Sequence, residues 1–181
     1  VAAAVLLARN AAASLPGLGD SKILSTAARA ALVPRIRQVA LGVGVGFAAP
    51  DEIDRVNILQ ASLLAMARAI RALPCPPDFV LVDGIHAVPI LIPQETLVRG
   101  DARSACVAAA SNVAKEHRDG LMREYAVLYP GYGFEEHMGY PTASHRAALQ
   151  RLGPCPLHRK SFKGVRELLA PPSQLALFPD P

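Results

Sequence analysis

An α/β fold is predicted by three features of this sequence. The run Phe79-Val80-Leu81-Val82-Asp83-Gly84 is short and apolar, as a buried strand requires, and it ends in an acid and a glycine. Residues 51–73 instead repeat apolar side chains at helical spacing, through Ile53, Val56, Leu59, Leu63, Met66 and Ile70. Between Val39 and Phe47, larger residues alternate with Gly42, Gly44 and Gly46, the pattern of a strand with one face packed closely by another element. The 181 residues are 51% apolar, enough for one ordinary core, so one domain is the natural count.

The elements follow in order. Val1 to Ala8 reads as a buried strand: it has no charged leader and is far too short to cross a bilayer. Pro16-Gly17-Leu18-Gly19-Asp20 is a loop, and Ser25 caps a helix expected to run to about Arg37. The glycine alternation at 42–46 is no phosphate loop, because no GK[ST] follows it. The helix over Asp51 to Leu73 is stopped by Pro74-Cys75-Pro76-Pro77. A second strand, Thr96-Leu97-Val98-Arg99-Gly100, ends at Asp101 much as the first ends at Asp83. Acids at such strand ends either face the ligand crevice of an α/β sheet or cap the next helix. Ser104 to about Tyr125 is one long helix, with Ala105, Ala108, Ala109, Ala110 and Ala114 permitting close packing. Tyr129 to Tyr140, rich in Gly, aromatic residues and His, is expected to be an ordered loop; Thr142 then caps a helix through Leu152. A short helix around Arg166 to Leu169 leads into a Pro-flanked tail.

Composition narrows the chemistry. The net charge of +4 suits a polyanionic partner and equally suits plain solubility. Cys75, Cys106 and Cys155 are odd in number without CxxC spacing, which argues against a disulfide framework and for a reducing, cytoplasmic setting. His117, His137, His145 and His158 are widely spaced, and the cysteines stand in the wrong places for a zinc knuckle.

A resemblance adds to this reading. Gly17-Leu18-Gly19-Asp20-Ser21-Lys22, Asn57-Ile58-Leu59-Gln60-Ala61, Leu81-Val82-Asp83-Gly84 and Gly100-Asp101-Ala102-Arg103-Ser104 occur in the order and approximate spacing of bacterial ribonuclease HII. So do Ala108-Ala109-Ala110-Ser111 with Ala114-Lys115, Arg118-Asp119, Tyr129-Pro130-Gly131-Tyr132-Gly133-Phe134, His137 with Gly139-Tyr140, and His158-Arg159 with Ser161-Phe162. The similarity runs from residue 1 to about Val165. It implies a ribonuclease H-like mixed sheet flanked by helices with a helical C-terminal region, over 1–165, followed by the short helix and tail at 166–181. The activity implied is hydrolysis of RNA in RNA–DNA hybrids and nicking on the 5′ side of ribonucleotides embedded in duplex DNA, with Mg2+ or Mn2+, as in ribonucleotide excision repair and DNA replication. Such chemistry needs hard oxygen ligands, because the ion both activates water and stabilises the leaving oxygen.

Carried over by position, Asp101 and Asp119 match the third and fourth metal-binding acids. A straight helix from Ser104 to Asp119 is about 22 Å long, so their convergence is implied by the family fold alone. Lys22 matches a phosphate contact, against solvent exposure as the plain alternative; Tyr140 matches the tyrosine that packs on the junction sugar, against a surface anchor. Arg103, Lys115 and Arg118 either neutralise phosphates or are helix-surface charges. Asn112, Glu116 and His117 in the long helix, Ile23 after Lys22 and Met138 before Gly139 depart from the family pattern, which implies weaker substrate contacts.

In the family, a strand bearing Asp-Glu-Val-Gly-Arg-Gly precedes the strand that corresponds to Val1 to Leu7. That segment would bring the other two acids, a Gly-Arg-Gly for ribose recognition and the central strand of the sheet. Without it, buried backbone groups left unpaired cost about 1–3 kcal/mol each. The expectation is therefore a sheet with its first central strand missing, catalytically incomplete and poorly stable alone. A truncated reading frame is the expected account, with a degenerate paralogue or completion by another chain as alternatives. The rival function is a non-catalytic remnant that binds nucleic acid or a sliding clamp. Within the tail, Gln174, Leu175, Leu177 and Phe178 resemble a clamp-docking peptide. A monomer without membrane attachment completes the expectation.

Overall fold

The computed structural model describes residues 1–8, 10–18 and 24–170. Lys22 and the tail with Gln174, Leu175, Leu177 and Phe178 lie outside the described residues. The chain forms two compact units, residues 1–48 with 59–118 and residues 49–58 with 119–181.

In the first unit, β1 (Ala2–Leu6) pairs antiparallel with β2 (Gly42–Gly46). Between them runs α1 (Thr26–Val39), capped by Ser25, whose hydroxyl accepts from the Ala28 N–H at 3.2 Å. The register of the pair explains its composition. Ala2 faces Gly46, Ala4 faces Gly44 and Leu6 faces Gly42, while Ala3 faces Val45 and Val5 faces Val43. One face therefore carries mainly alanine and glycine, and α2 (Pro50–Arg71) lies close against it: a Cβ on Gly44 would stand 2.0 Å from the Ala69 carbonyl oxygen. The opposite face, with Ala3, Val5, Val43 and Val45, packs on Leu32, Val33 and Ile36 of α1 and on Ala109 and Val113. The alternation at 42–46 is thus a division between helix-contacting glycines and core valines.

α2 is continuous in outline but broken at Asn57, where φ is 70° and ψ 168°, an extended mirror conformation costly for a residue with a Cβ. Helical spacing alone could not show this break, because the apolar positions on either side keep their phase. Residues 50–56 belong to the second unit, where the Ala49 N–H donates to the Glu52 carboxylate at 2.9 Å.

Beyond α2, β3 (Val80–Asp83) pairs parallel with β4 (Gln94–Leu97) in a second two-stranded sheet. The turn from β4 leads into α3 (Gly100–Arg103) and then α4 (Ala105–Leu128), whose Ala108 and Ala109 are buried as the small-residue pattern requires. β4 ends at Leu97, earlier than expected, because Arg99 adopts a left-handed conformation (φ 55°, ψ 46°) that turns the chain out of the strand.

In the second unit, Tyr129 to Tyr140 contains one helical turn, α5 (Phe134–His137), between left-handed Gly133 and Met138. The expected loop is therefore ordered around a short helix. α6 (Ala143–Leu152) is capped by Thr142, whose hydroxyl accepts from the His145 N–H at 3.2 Å, and α7 (Arg166–Leu169) follows. Met122, Tyr132, Phe134 and Ala148 form the core of this unit, with Tyr132 and Phe134 stacked at 5.3 Å. The Asp54 carboxylate accepts from the Lys160 N–H at 2.8 Å and from the Ser161 N–H and hydroxyl at 2.9 and 2.5 Å, tying 158–162 to the first turns of α2. No helix among the described residues is long and apolar enough to cross a membrane.

Candidate functional site

Asp83 and Asp101 lie at or just past the carboxyl ends of the two parallel strands. Asp83 is the last residue of β3, and its Oδ1 accepts from the Gly100 N–H at 2.9 Å. This bond reaches across the sheet to the first residue of α3, so Asp83 fixes the turn that presents Asp101, the next residue along. Gly100 fits closely there: a Cβ would lie 3.1 Å from Val107 Cγ1 and 3.2 Å from both Asp83 Oδ1 and Leu97 Cβ, tighter than ordinary contact. The left-handed Arg99 precedes it, so two successive residues of the turn are constrained by geometry. Asp101 itself is half-buried, and Arg103 two residues on is exposed. Of the two readings open for a strand-end acid, Asp83 takes the capping one, and it caps the helix of the neighbouring strand.

Asp83 also lines a cavity of about 410 Å³ inside the first unit. One wall is β1 along its whole length and the other is β3, with Met66 and Ile70 of α2 and Val107 and Ala110 of α4 above and below. Among the described residues β1 pairs only with β2 and β3 only with β4, so one edge of each two-stranded sheet borders this space. Cys106 lies on its wall; burial pushes the thiol above its ordinary range, although a hydrogen bond with the Leu7 backbone pulls the other way.

In the second unit Asp119 of α4 is 2% exposed, whereas Lys115 and Arg118 on the same helix are partly exposed. A carboxylate so far from water is retained only where hydrogen bonds, cations or a metal compensate the lost hydration. Asn112, also fully buried, donates to the Ala108 carbonyl at 2.8 Å, which accounts for a polar residue in an otherwise apolar stretch. Tyr140 is 56% exposed.

Sequence spacing missed one cluster. His137, His145, His158 and Cys155 come together in the second unit, with His145 and His158 joined through their Nε2 atoms at 3.2 Å and His158 Nδ1 3.1 Å from the Cys155 sulfur. Burial lowers both His145 and His158 below the usual histidine range, with smaller opposed effects from their backbone partners. The contacts form a line and not a cage. Among the described residues no three His, Cys, Asp or Glu side chains are grouped to hold a metal ion.

Comparison with known proteins adds the family. A family model described as ribonuclease HII matches residues 1–165. Ribonuclease HII of Geobacter metallireducens is 54% identical over 171 residues, covering 94% of this chain and 79% of that protein. That of Syntrophotalea carbinolica is also 54% identical, over 169 residues, covering 93% of this chain and 80% of its own. In fold, the chain is similar to the crystal structure of ribonuclease H2 from Pyrococcus horikoshii OT3, with a TM-score of 0.70 at 21% identity over 84% of this chain and 80% of that one.

Proposed function

From the premise that the chain belongs to the ribonuclease HII family of endonucleases, we propose that it acts on RNA–DNA hybrids and nicks duplex DNA on the 5′ side of embedded ribonucleotides. Asp101 and Asp119 are the ligands this chain contributes to a divalent ion, Mg2+ or Mn2+. When bound, that ion supplies an activated water and charge stabilisation for the leaving oxygen. The single observation that carries the reading is the turn at β4–α3. An exposed helix-surface acid needs no such support, yet here Asp83, Gly100 and a left-handed Arg99 together set the backbone from which Asp101 projects. Such expenditure on one turn is the mark of a side chain whose placement matters.

The cavity between β1 and β3 supports the second half of the reading. A strand laid there would pair with both bordering edges and join the two small sheets into one, at the usual separation of about 4.8 Å between neighbours. Two further acids on such a strand would complete the oxygen shell to which Asp101 and Asp119 contribute. The remaining residues divide the substrate between them. Lys22, Arg103 and Lys115 meet backbone phosphates, and Tyr140 packs on the sugar at the RNA-to-DNA junction, where a 2′-hydroxyl distinguishes ribose from deoxyribose. Gln174, Leu175, Leu177 and Phe178 dock on a bacterial sliding clamp, and the protein works in the cytoplasm as a monomer.

The test is a duplex carrying one ribonucleotide, incubated with the protein bearing a strand of the Asp-Glu-Val-Gly-Arg-Gly type ahead of Val1. Nicking that needs a divalent ion and spares the all-DNA duplex is expected. Binding without any metal-dependent nicking would favour the rival, a non-catalytic nucleic-acid-binding remnant.

A further inference from the structure

Three histidines that the reading above leaves unused surround the backbone carrying Tyr140. The Tyr140 N–H donates to the His137 carbonyl at 2.8 Å, and the Tyr140 carbonyl accepts from the Thr142 N–H at 2.8 Å and contacts His145 Nδ1 at 2.9 Å. The Gly139 N–H donates to His137 Nδ1 at 3.2 Å, and His137 Nε2 lies 2.8 Å from the Tyr132 carbonyl oxygen. His145 stacks on His137 with centroids 4.3 Å apart and planes 14° from parallel. Its Nε2 meets His158 Nε2 at 3.2 Å, and His158 Nδ1 accepts from the Cys155 N–H at 3.0 Å, with the Cys155 carbonyl oxygen farther off at 3.3 Å.

A carbonyl only accepts, so His145 Nδ1 and His137 Nε2 carry hydrogens; a backbone N–H only donates, so His137 Nδ1 is bare. His158 Nδ1 meets the Cys155 N–H at 3.0 Å, the Cys155 sulfur at 3.1 Å and the Cys155 carbonyl oxygen at 3.3 Å, and the shorter N–H contact favours a bare nitrogen there as well. His145 Nε2, bare in the neutral ring, then accepts the hydrogen of His158 Nε2. His145 is thus the tautomer opposite to that of His137 and His158. An extra proton on His145 would set two N–H groups against each other, His145 against His158, and one on His158 would set its ring against the Cys155 N–H. Burial of His145 and His158 favours the same neutral state.

We propose that His137, His145 and His158 are positioning residues for Tyr140, a chain of hydrogen-bonded and stacked imidazoles that fixes the backbone of Gly139 and Tyr140 and thereby holds the exposed Tyr140 ring for the sugar of a ribonucleotide. The inference rests on Tyr140 being a substrate contact, as proposed above. His137 holds both neighbouring N–H groups of the turn, one through its ring and one through its own carbonyl, while His145 holds the carbonyl on the far side. His158 acts one step removed, by supplying the hydrogen that fixes the tautomer of His145. Met138, left-handed at φ 50°, lies between these anchors, so the turn is held in a conformation that its own sequence disfavours.

The experiment measures binding of a labelled duplex with one ribonucleotide, in a chelator so that nothing is cleaved, against the all-DNA duplex. Tyr140→Ala is expected to weaken binding of the ribonucleotide duplex about tenfold. His145→Phe keeps a ring to stack on His137 but has no Nδ1–H; it should reproduce that loss, and the two changes combined should cost no more than either alone. His145→Asn, whose carboxamide can donate to the same carbonyl, should regain most of the affinity. Loss in Tyr140→Ala with wild-type binding in a folded His145→Phe would overturn the positioning role alone. Unchanged binding in Tyr140→Ala would overturn the substrate assignment of Tyr140, and the positioning role with it. Histidine 15N shifts of the folded protein give a readout independent of substrate: an Nδ1–H tautomer for His145 and Nε2–H tautomers for His137 and His158 are expected, and any other pattern refutes the array.

Discussion

Gly44→Ala offers a sharp test of how the first unit is built. The added Cβ would stand 2.0 Å from the Ala69 carbonyl oxygen, 3.0 Å from the Leu73 nitrogen and 3.1 Å from the Ala72 carbonyl carbon, all backbone atoms of α2 and the residues that follow it. None of these can rotate away. Ordinary contact begins near 3.4 Å, so β2 and α2 must separate by about 1.4 Å at that point, and the separation opens gaps around Ala65 and Ala69, which are 2% and 0% exposed. Overpacking relieved by backbone movement costs about 1–3 kcal/mol, and this case belongs at the upper end. Against it stands a gain of about 0.4–1 kcal/mol from restricting the unfolded chain. A net loss of about 2 kcal/mol is expected, read as a fall in the denaturation midpoint at unchanged slope. Gly120→Ala, inside α4, is the control: its nearest neighbour is the flexible end of Arg123 at 3.9 Å, so helix propensity should stabilise it by about 0.5–1 kcal/mol. Equal midpoints for Gly44→Ala and the parent protein would refute the direct packing of α2 on the glycine face.

Further outcomes follow from the turns and the buried histidines. Asp83→Ala removes the acceptor for the Gly100 N–H and should cost about 1–2 kcal/mol and lower nicking, whereas Asp83→Asn keeps an oxygen there and should retain most of both; equal loss in the two variants would count against the turn as the cause. Asp54→Ala breaks three hydrogen bonds to Lys160 and Ser161, and because the carboxylate is solvated the loss should be about 1 kcal/mol, detectable as a lower midpoint. Stability should also fall in two windows as pH drops. His145 and His158 are held neutral, so the unfolded chain takes up protons first and stability declines as pH passes below the ordinary histidine value of 6.5 toward the lower folded values. Burial acts to raise Asp54, but its bonds to Ser161 and Lys160 prevail and hold it below the usual carboxylate range; its contribution is kept above that range and lost as pH falls through the folded value. A midpoint that does not change between about pH 8 and about pH 5 would contradict neutral histidines.

Much of this architecture was legible in local pattern. Ser25 and Thr142 announce their helices because capping is local, and Val80 to Asp83 announces a strand because an apolar run bounded by prolines and a glycine has few alternatives. The glycines at 42, 44 and 46 signalled close packing, though not that the neighbour would be α2. What stayed hidden depends on distant partners or on single dihedrals. Asn57 breaks α2 without disturbing the apolar phase, and nothing local marks it. Asp83 could be read as ligand or cap from sequence; only the parallel pairing with β4 brings its carboxylate to Gly100. The histidines looked unrelated along the chain because α5 and α6, which bring them together, place residues 137, 145 and 158 by tertiary packing. The acids at 101 and 119 are singled out only by the family resemblance of their surroundings, since no spacing rule links a helix start to a position in the next helix.

The most direct measurement is the rate at which the protein, given a strand of the Asp-Glu-Val-Gly-Arg-Gly type ahead of Val1, nicks a duplex with one ribonucleotide, in Mg2+ and in Mn2+, for the parent and for Asp101→Asn. Loss of a charged ligand should lower the rate by at least about a hundredfold in both metals while the denaturation midpoint stays within about 1 kcal/mol of the parent. Undiminished nicking by a folded Asp101→Asn variant would contradict the assignment of Asp101 as a metal ligand.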